Sequence, residues 1–276
     1  MDALLAPFAL PFMQRAFVAA LVVGLLCSTM GTYVVLRKLS FIGDGIAHAS
    51  FAGIVVAYLR GLNYQLGAGI VAVVTALTIG YVHRRAKVSL DTTIGVLFTG
   101  VFALGIFLMG FSKKHNAVDL QSYLFGDILG VSASDLVVMV VLALLVAIVV
   151  AALYRPLLYT SFDPIVAQAS GIRATFVDNV LLVLLSLTII VSLQSVGIIL
   201  VAALLVTPAA AAAQLTRRFV TMMLLAAAFG VFASVGGLYL SYYLGSASGS
   251  TIVLLATIVF FAAVGIGAAR RRRLAL

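Results

Sequence analysis

The sequence predicts an all-α fold, a polytopic transmembrane bundle of eight or nine spans that forms one membrane domain over residues 1–276. Three observations predict it. The chain is 64% hydrophobic and only 9% charged, with a mean hydropathy of +1.26, whereas a soluble domain is about 45–50% apolar and about 25% charged. Apolar runs long enough to cross a bilayer recur along the whole chain. Short basic clusters punctuate those runs, and the period-2 alternation of a membrane β-barrel is absent.

Charged residues fence off the spans. Charge-free stretches occupy residues 16–36, 61–83, 92–112 and 136–154, and a further span over 41–58 contains Asp44 and His48. Two longer stretches, 179–216 and 219–269, each exceed the length of one span and must divide. The polar run 192–195 and the Gly/Ser run 245–249 are the expected breaks, which gives nine spans. If residues 194–208 form a broken or re-entrant helix, eight remain.

Basic residues in cytoplasmic loops orient such a chain. With the N-terminus outside, Arg37, Lys38, Arg84, Arg85, Lys87, Arg155, Arg173, Arg217, Arg218 and Arg270–Arg273 all fall in the cytoplasm. Only Arg15, Arg60, Lys113 and Lys114 fall outside. The expected topology is therefore N-out, C-in, and the net charge of +9 is a topology signal rather than a nucleic-acid footprint. The start, residues 1–13, lacks a basic n-region, so no cleaved signal peptide is expected.

The same composition limits the chemistry. All eight acidic residues are Asp, and the single Cys27 lies in an apolar run, which rules out Cys-based metal sites and disulfides within the chain. No GxxxxGK[ST] motif is present, so any ATP would be handled by another subunit.

A few polar residues break the apolar pattern. Asp44 and His48 stand at i and i+4 and share a helix face. At 1.5 Å of rise per residue from Lys38, they lie roughly 9 Å and roughly 15 Å into a hydrocarbon core about 30 Å thick. Ionisable groups at that depth mark function by default, and carboxylate plus imidazole is ligand chemistry for a divalent transition metal. The plainer alternative is that they only bond each other or a neighbouring helix. Small neighbours, Gly45, Ala47, Ala49, Ser50, Ala52 and Gly53, permit close helix approach.

The segment 160–172 reads TSFDPIVAQASGI. Asp163 suits an N-cap, Pro164 the first helical position and Gly171 the stop, which specifies a helix of about two turns on the cytoplasmic side. Such a short capped helix is shaped as a docking knob for another protein, the alternative being a simple interfacial turn. On the outer side, His115, Asp119 and Asp127 are candidates to meet an arriving cation, or are merely solvated and capping. Pro208 is expected to kink its span and to line a pathway, although many membrane prolines are only structural.

Taken in order, RKLSFIGDGIAHAS (37–50), DTTIG (91–95), YLFGDIL (123–129), SFD (161–163) through Gly171, SVGIILVAALLVTPA (195–209) and SGSTIV (248–253) resemble the metal-cation permeases of ABC importers. The resemblance covers nearly the whole chain. It implies a permease subunit in the inner (plasma) membrane of a bacterium that moves Zn2+ or Mn2+ as cargo, with no permanently bound cofactor and no catalysis of its own. It further implies two permease copies forming a homodimer, ATP-binding cassette ATPase subunits beneath them, and an extracytoplasmic metal-binding protein that delivers the ion. Asp44 and His48 match the family's intramembrane metal pair. Ser161, Phe162, Asp163, Pro164 and Gly171 match its ATPase-coupling segment. If two copies face each other through the second span, two Asp and two His converge.

Three other classes compete. A permease for iron-siderophore or vitamin cargo needs a wide cavity and no intramembrane ligand pair. An ion-coupled secondary transporter would show inverted repeats, which the sequence lacks. An intramembrane aspartyl protease would need a Gly-x-Gly-Asp pattern, which neither Asp44 nor Asp127 completes, and a zinc protease would need Glu.

Overall fold

A computed structural model describes residues 7–86, 88–111 and 128–274. Among these, nine helices are long and apolar enough to cross a membrane. In chain order they are α1 (Pro11–Leu36), α2 (Ile42–Arg60), α3 (Tyr64–Ala86), α4 (Leu90–Met109), α5 (Ala133–Ala152), α8 (Ala174–Val196), α9 (Ile198–Leu215), α10 (Phe219–Leu244) and α11 (Ser248–Leu274). Two short helices, α6 (Tyr154–Phe162) and α7 (Pro164–Ala169), lie between α5 and α8. The fold is an all-α polytopic bundle, with no strand among the described residues.

Local chemistry sets many of the ends. Ser89 caps α4 by accepting from the Thr92 N–H, and Ser132 forms a reciprocal capping box with Asp135 at the start of α5. Gly61 and Gly245 close α2 and α10 in the left-handed conformation. The 179–216 stretch divides at Gly197 alone, not over 192–195. Gly197 has φ 82° and ψ 167°, a conformation open essentially to glycine, and this one residue turns the chain from α8 into α9. Nine spans follow, and the eight-span alternative lapses.

Buried residues concentrate in α1, α2, α8 and α9, while α4 and α5 are largely exposed. α1 packs against α9 and α10, α2 against α3 and α4, and α9 also against α11. The bundle reproduces the predicted up–down alternation. Residues expected outside meet each other: Ile128, Val196, Ile199 and Ser248 line one pocket of about 450 Å³. Residues expected inside do likewise, since the Phe219 ring lies 5.2 Å from Tyr33, 6.0 Å from Tyr154 and 6.4 Å from Phe162, centroid to centroid.

α9 runs through Pro208. Proline has no N–H for the carbonyl four residues back, that of Leu204. The Ser28 hydroxyl of α1 donates to that carbonyl at 3.4 Å, so a neighbouring helix replaces the missing backbone bond.

Candidate functional site

Between Ile42 and Val55, every residue of α2 is buried except Asp44 and His48. Their side chains are 46% and 26% exposed, so this stretch of the helix opens onto its surroundings through this pair. His48 Nδ1 lies 2.9 Å from the Asp44 carbonyl oxygen and 3.4 Å from Asp44 Oδ1. Nδ1–H donates to the carbonyl, which fixes the tautomer and leaves the Nε2 lone pair for an external ligand. The imidazole stands beside two rings of α4, 5.8 Å from Phe98 and 5.6 Å from Phe102, and Phe51 packs on Phe102 at 5.5 Å. One carboxylate and one imidazole nitrogen therefore sit beside an aromatic wall. Among the described residues, no group of three or more His, Cys, Asp or Glu is assembled.

The small residues flanking the pair are used inside the chain. A Cβ on Gly45 would lie 2.7 Å from Ile94 of α4, and one on Gly53 would lie 2.1 Å from the Gly67 carbonyl oxygen of α3. Gly105 of α4 abuts Ala52 in the same way. Close approach thus builds the α3–α2–α4 packing and presses Phe98 and Phe102 onto His48. Sequence reasoning missed these phenylalanines, because two apolar residues in an apolar span carry no signal of their own.

At the inner end, the chain leaves α5 directly into the nine-residue helix α6, ahead of the capped segment. Asp163 then adopts extended backbone, as a residue before proline prefers, and its carboxylate accepts from the N–H groups of Ile165 (2.9 Å) and Val166 (3.1 Å). α7 is only six residues long. It ends in a Schellman motif, with Gly171 at φ 82° donating to the Gln168 carbonyl and Ile172 donating to the Ala167 carbonyl. Apart from Ala167, α7 is exposed throughout, with Ile165 at 79% and Val166 at 55%. Phe162 is exposed beside it and meets Phe219 edge-on. A rigid, two-ended cap thus presents an apolar knob. His115, Asp119 and Asp127 lie outside the described residues. Pro208 is buried among packed helices.

The sequence profile described as the ABC 3 transport family matches residues 9–267. The chain belongs to the ABC 3 transport family. Its similarities run along most of its length. It is 44% identical over 249 residues to a protein of Halalkalibacterium halodurans named manganese transport system membrane protein MntC, covering 90% of this chain and 85% of the relative. It is 35% identical to a probable iron transport system membrane protein of Haemophilus influenzae, covering 98% of this chain and 99% of that one. Among solved structures it is similar to a chain of PsaBC from Streptococcus pneumoniae in complex with Fab, with a TM-score of 0.80 and 35% identity over 92% of this chain and 91% of the other. An inward-facing putative metal-chelate type ABC transporter shares the fold, with a TM-score of 0.73 at 16% identity. As an ABC 3 member, this chain is the multi-pass membrane permease of a bacterial metal-ion ABC importer.

Proposed function

We propose that this ABC 3 permease carries a bare divalent transition-metal ion, manganese first and zinc second, into the cell, with Asp44 and His48 as its intramembrane ligands. The observation that carries the reading is the pair itself: a carboxylate and an imidazole on one face of a helix that is otherwise buried from Ile42 to Val55, with Nε2 free to coordinate. The name of the relative from Halalkalibacterium halodurans favours manganese. Asp oxygen with imidazole nitrogen suits manganese and zinc alike.

Two ligands are fewer than either metal needs. A second permease copy, facing the first through Asp44, His48 and the exposed side of α4, supplies the other carboxylate and imidazole. The apolar knob Phe162, Ile165 and Val166, held by Asp163, Pro164 and Gly171, docks on an ATP-binding cassette ATPase. A metal-binding protein outside the cell delivers the ion, and the unit 1–276 works as one permease domain with no resident cofactor. A second reading takes iron as the cargo, because the relative in Haemophilus influenzae is named for iron.

Uptake of manganese, zinc and iron, measured singly and in competition in cells lacking other importers, tests the choice. Manganese uptake blocked by zinc but not by iron supports the proposal. Uptake of chelated iron alone overturns it.

A further inference from the structure

Arg37 serves at first sight only as a positive-inside marker, yet its side chain is just 13% exposed and each of its three guanidinium nitrogens is hydrogen-bonded. Its Nε donates to Ser161 Oγ at 2.9 Å, one terminal nitrogen to Asp178 Oδ1 at 2.5 Å, and the other to Thr160 Oγ1 at 2.6 Å. The two hydroxyls spend their own protons on carbonyls of α6, Thr160 on Pro156 at 2.9 Å and Ser161 on Leu157 at 2.6 Å. Their lone pairs are thereby aimed at the guanidinium. One planar cation therefore fastens the end of α1 to the last turn of α6 and the second turn of α8. Arg84 of α3 adds a neighbouring bond to Asn179 at 2.9 Å.

What lies on either side of this clamp gives it meaning. Ser161 is followed two residues later by Asp163, the cap of the exposed knob, and Pro164 of the knob lines the same cavity of about 240 Å³ as Arg37 and Asp178. In the other direction, Arg37 opens a tight Schellman turn. Lys38 takes the left-handed conformation at φ 57°, its N–H donates to the Val35 carbonyl, and the N–H of buried Leu39 donates to the Val34 carbonyl. Ile42 then starts α2, and Asp44 lies in its first turn. No slack segment separates the knob from the ligand pair.

We infer that Arg37 is a positioning residue that transmits movement of the α6–α7 segment to α2, so that Asp44 and His48 shift when the ATPases move the knob. The inference rests on the reading of residues 161–171 as the ATPase-docking segment. Arg37 touches no cargo. It converts displacement of the knob into displacement of α2 because a guanidinium bonded on three edges holds both parts in one orientation, which a single-pronged ammonium cannot do.

The test uses the complete importer, with permease, ATPase and binding protein, in proteoliposomes, and reads metal transported per ATP hydrolysed. Arg37→Gln and Asp178→Asn should keep ATP hydrolysis near wild-type, leave the KM for manganese unchanged and lower ions moved per ATP about tenfold. Arg37→Lys should recover only part of the ratio, and Ser161→Ala should fall between wild-type and Arg37→Gln. A purely structural role would lower hydrolysis and uptake together, in step with the amount of folded complex, and leave the ratio alone. An unchanged ratio in Arg37→Gln and Asp178→Asn overturns the inference. If Arg37→Gln does not fold, Asp178→Asn, which lies outside the docking segment, decides by the same ratio. A wild-type complex without ATP-dependent uptake would instead bring down the docking reading on which the inference stands.

Discussion

Replacing Asp163 separates the shape of the knob from its charge. Asp163 caps a helix of six residues through bonds of 2.9 and 3.1 Å to the N–H groups of Ile165 and Val166. A helix that short does not persist on its own propensity. Its ends hold it, and the Gly171 closure cannot compensate for an open start. Removing such a cap costs about 1 kcal/mol, or roughly a fivefold fall in the ratio of formed to unformed helix, and a nearly equal fall in population for a helix too short to persist on its own. If only the formed helix docks, the apparent affinity for the ATPase falls by the same factor, about fivefold. Asparagine caps as well as aspartate does. Asp163→Ala should therefore weaken ATPase binding to the detergent-solubilised permease about fivefold, whereas Asp163→Asn, which loses the charge but keeps the acceptor, should stay within about twofold of wild-type. Titration of fluorescent ATPase onto immobilised permease reads both. Equal weakening by Ala and Asn would assign the effect to charge and refute the cap argument, as would an Ala variant that binds like wild-type.

Two further outcomes test the packing. Gly53→Val places a side chain 2.1 Å from the Gly67 carbonyl oxygen, so folded protein recovered by size-exclusion chromatography should collapse. Gly69→Ala, with nothing within 4 Å, should be recovered as wild-type. Ser28→Ala strands the Leu204 carbonyl and should lower stability by about 1–3 kcal/mol. The double variant Ser28→Ala, Pro208→Ala should recover much of that in thermal melts, because alanine in place of the proline supplies the missing N–H. No recovery would mean that the hydroxyl acts elsewhere.

The spans were legible because only charge, not periodicity, has to be read to find them, and Arg37, Arg84, Arg155 and Arg217 fence them plainly. The knob was legible because Asp163, Pro164 and Gly171 act on neighbours a few residues away. The break after α8 was misplaced by a few residues. Ser192 and Ser195 look like a loop, yet both are buried in helix, and Ser192 lies 3.4 Å from the Cys27 sulfur. Only the backbone of Gly197 turns the chain. α6 carries no expectation in the sequence reading, which between spans places a helix only over 163–171; Pro156 falls in its first turn, where proline is tolerated. What stayed hidden was non-local. Arg37 meets partners 123 to 141 residues away, and Phe98 and Phe102 gain meaning only when Gly45 and Gly105 seat α4 against α2.

The role of Asp44 and His48 as cargo ligands is tested most directly by manganese uptake in Asp44→Ala, His48→Ala and His48→Gln importers reconstituted at equal amounts of folded complex, with ATPase activity recorded in parallel. Uptake by both Ala variants should fall to background while basal ATP hydrolysis persists. His48→Gln, which fills the space beside Phe98 and Phe102 without an imidazole nitrogen, should fail with them. Wild-type uptake by Asp44→Ala and His48→Ala would show that the ion crosses without this pair.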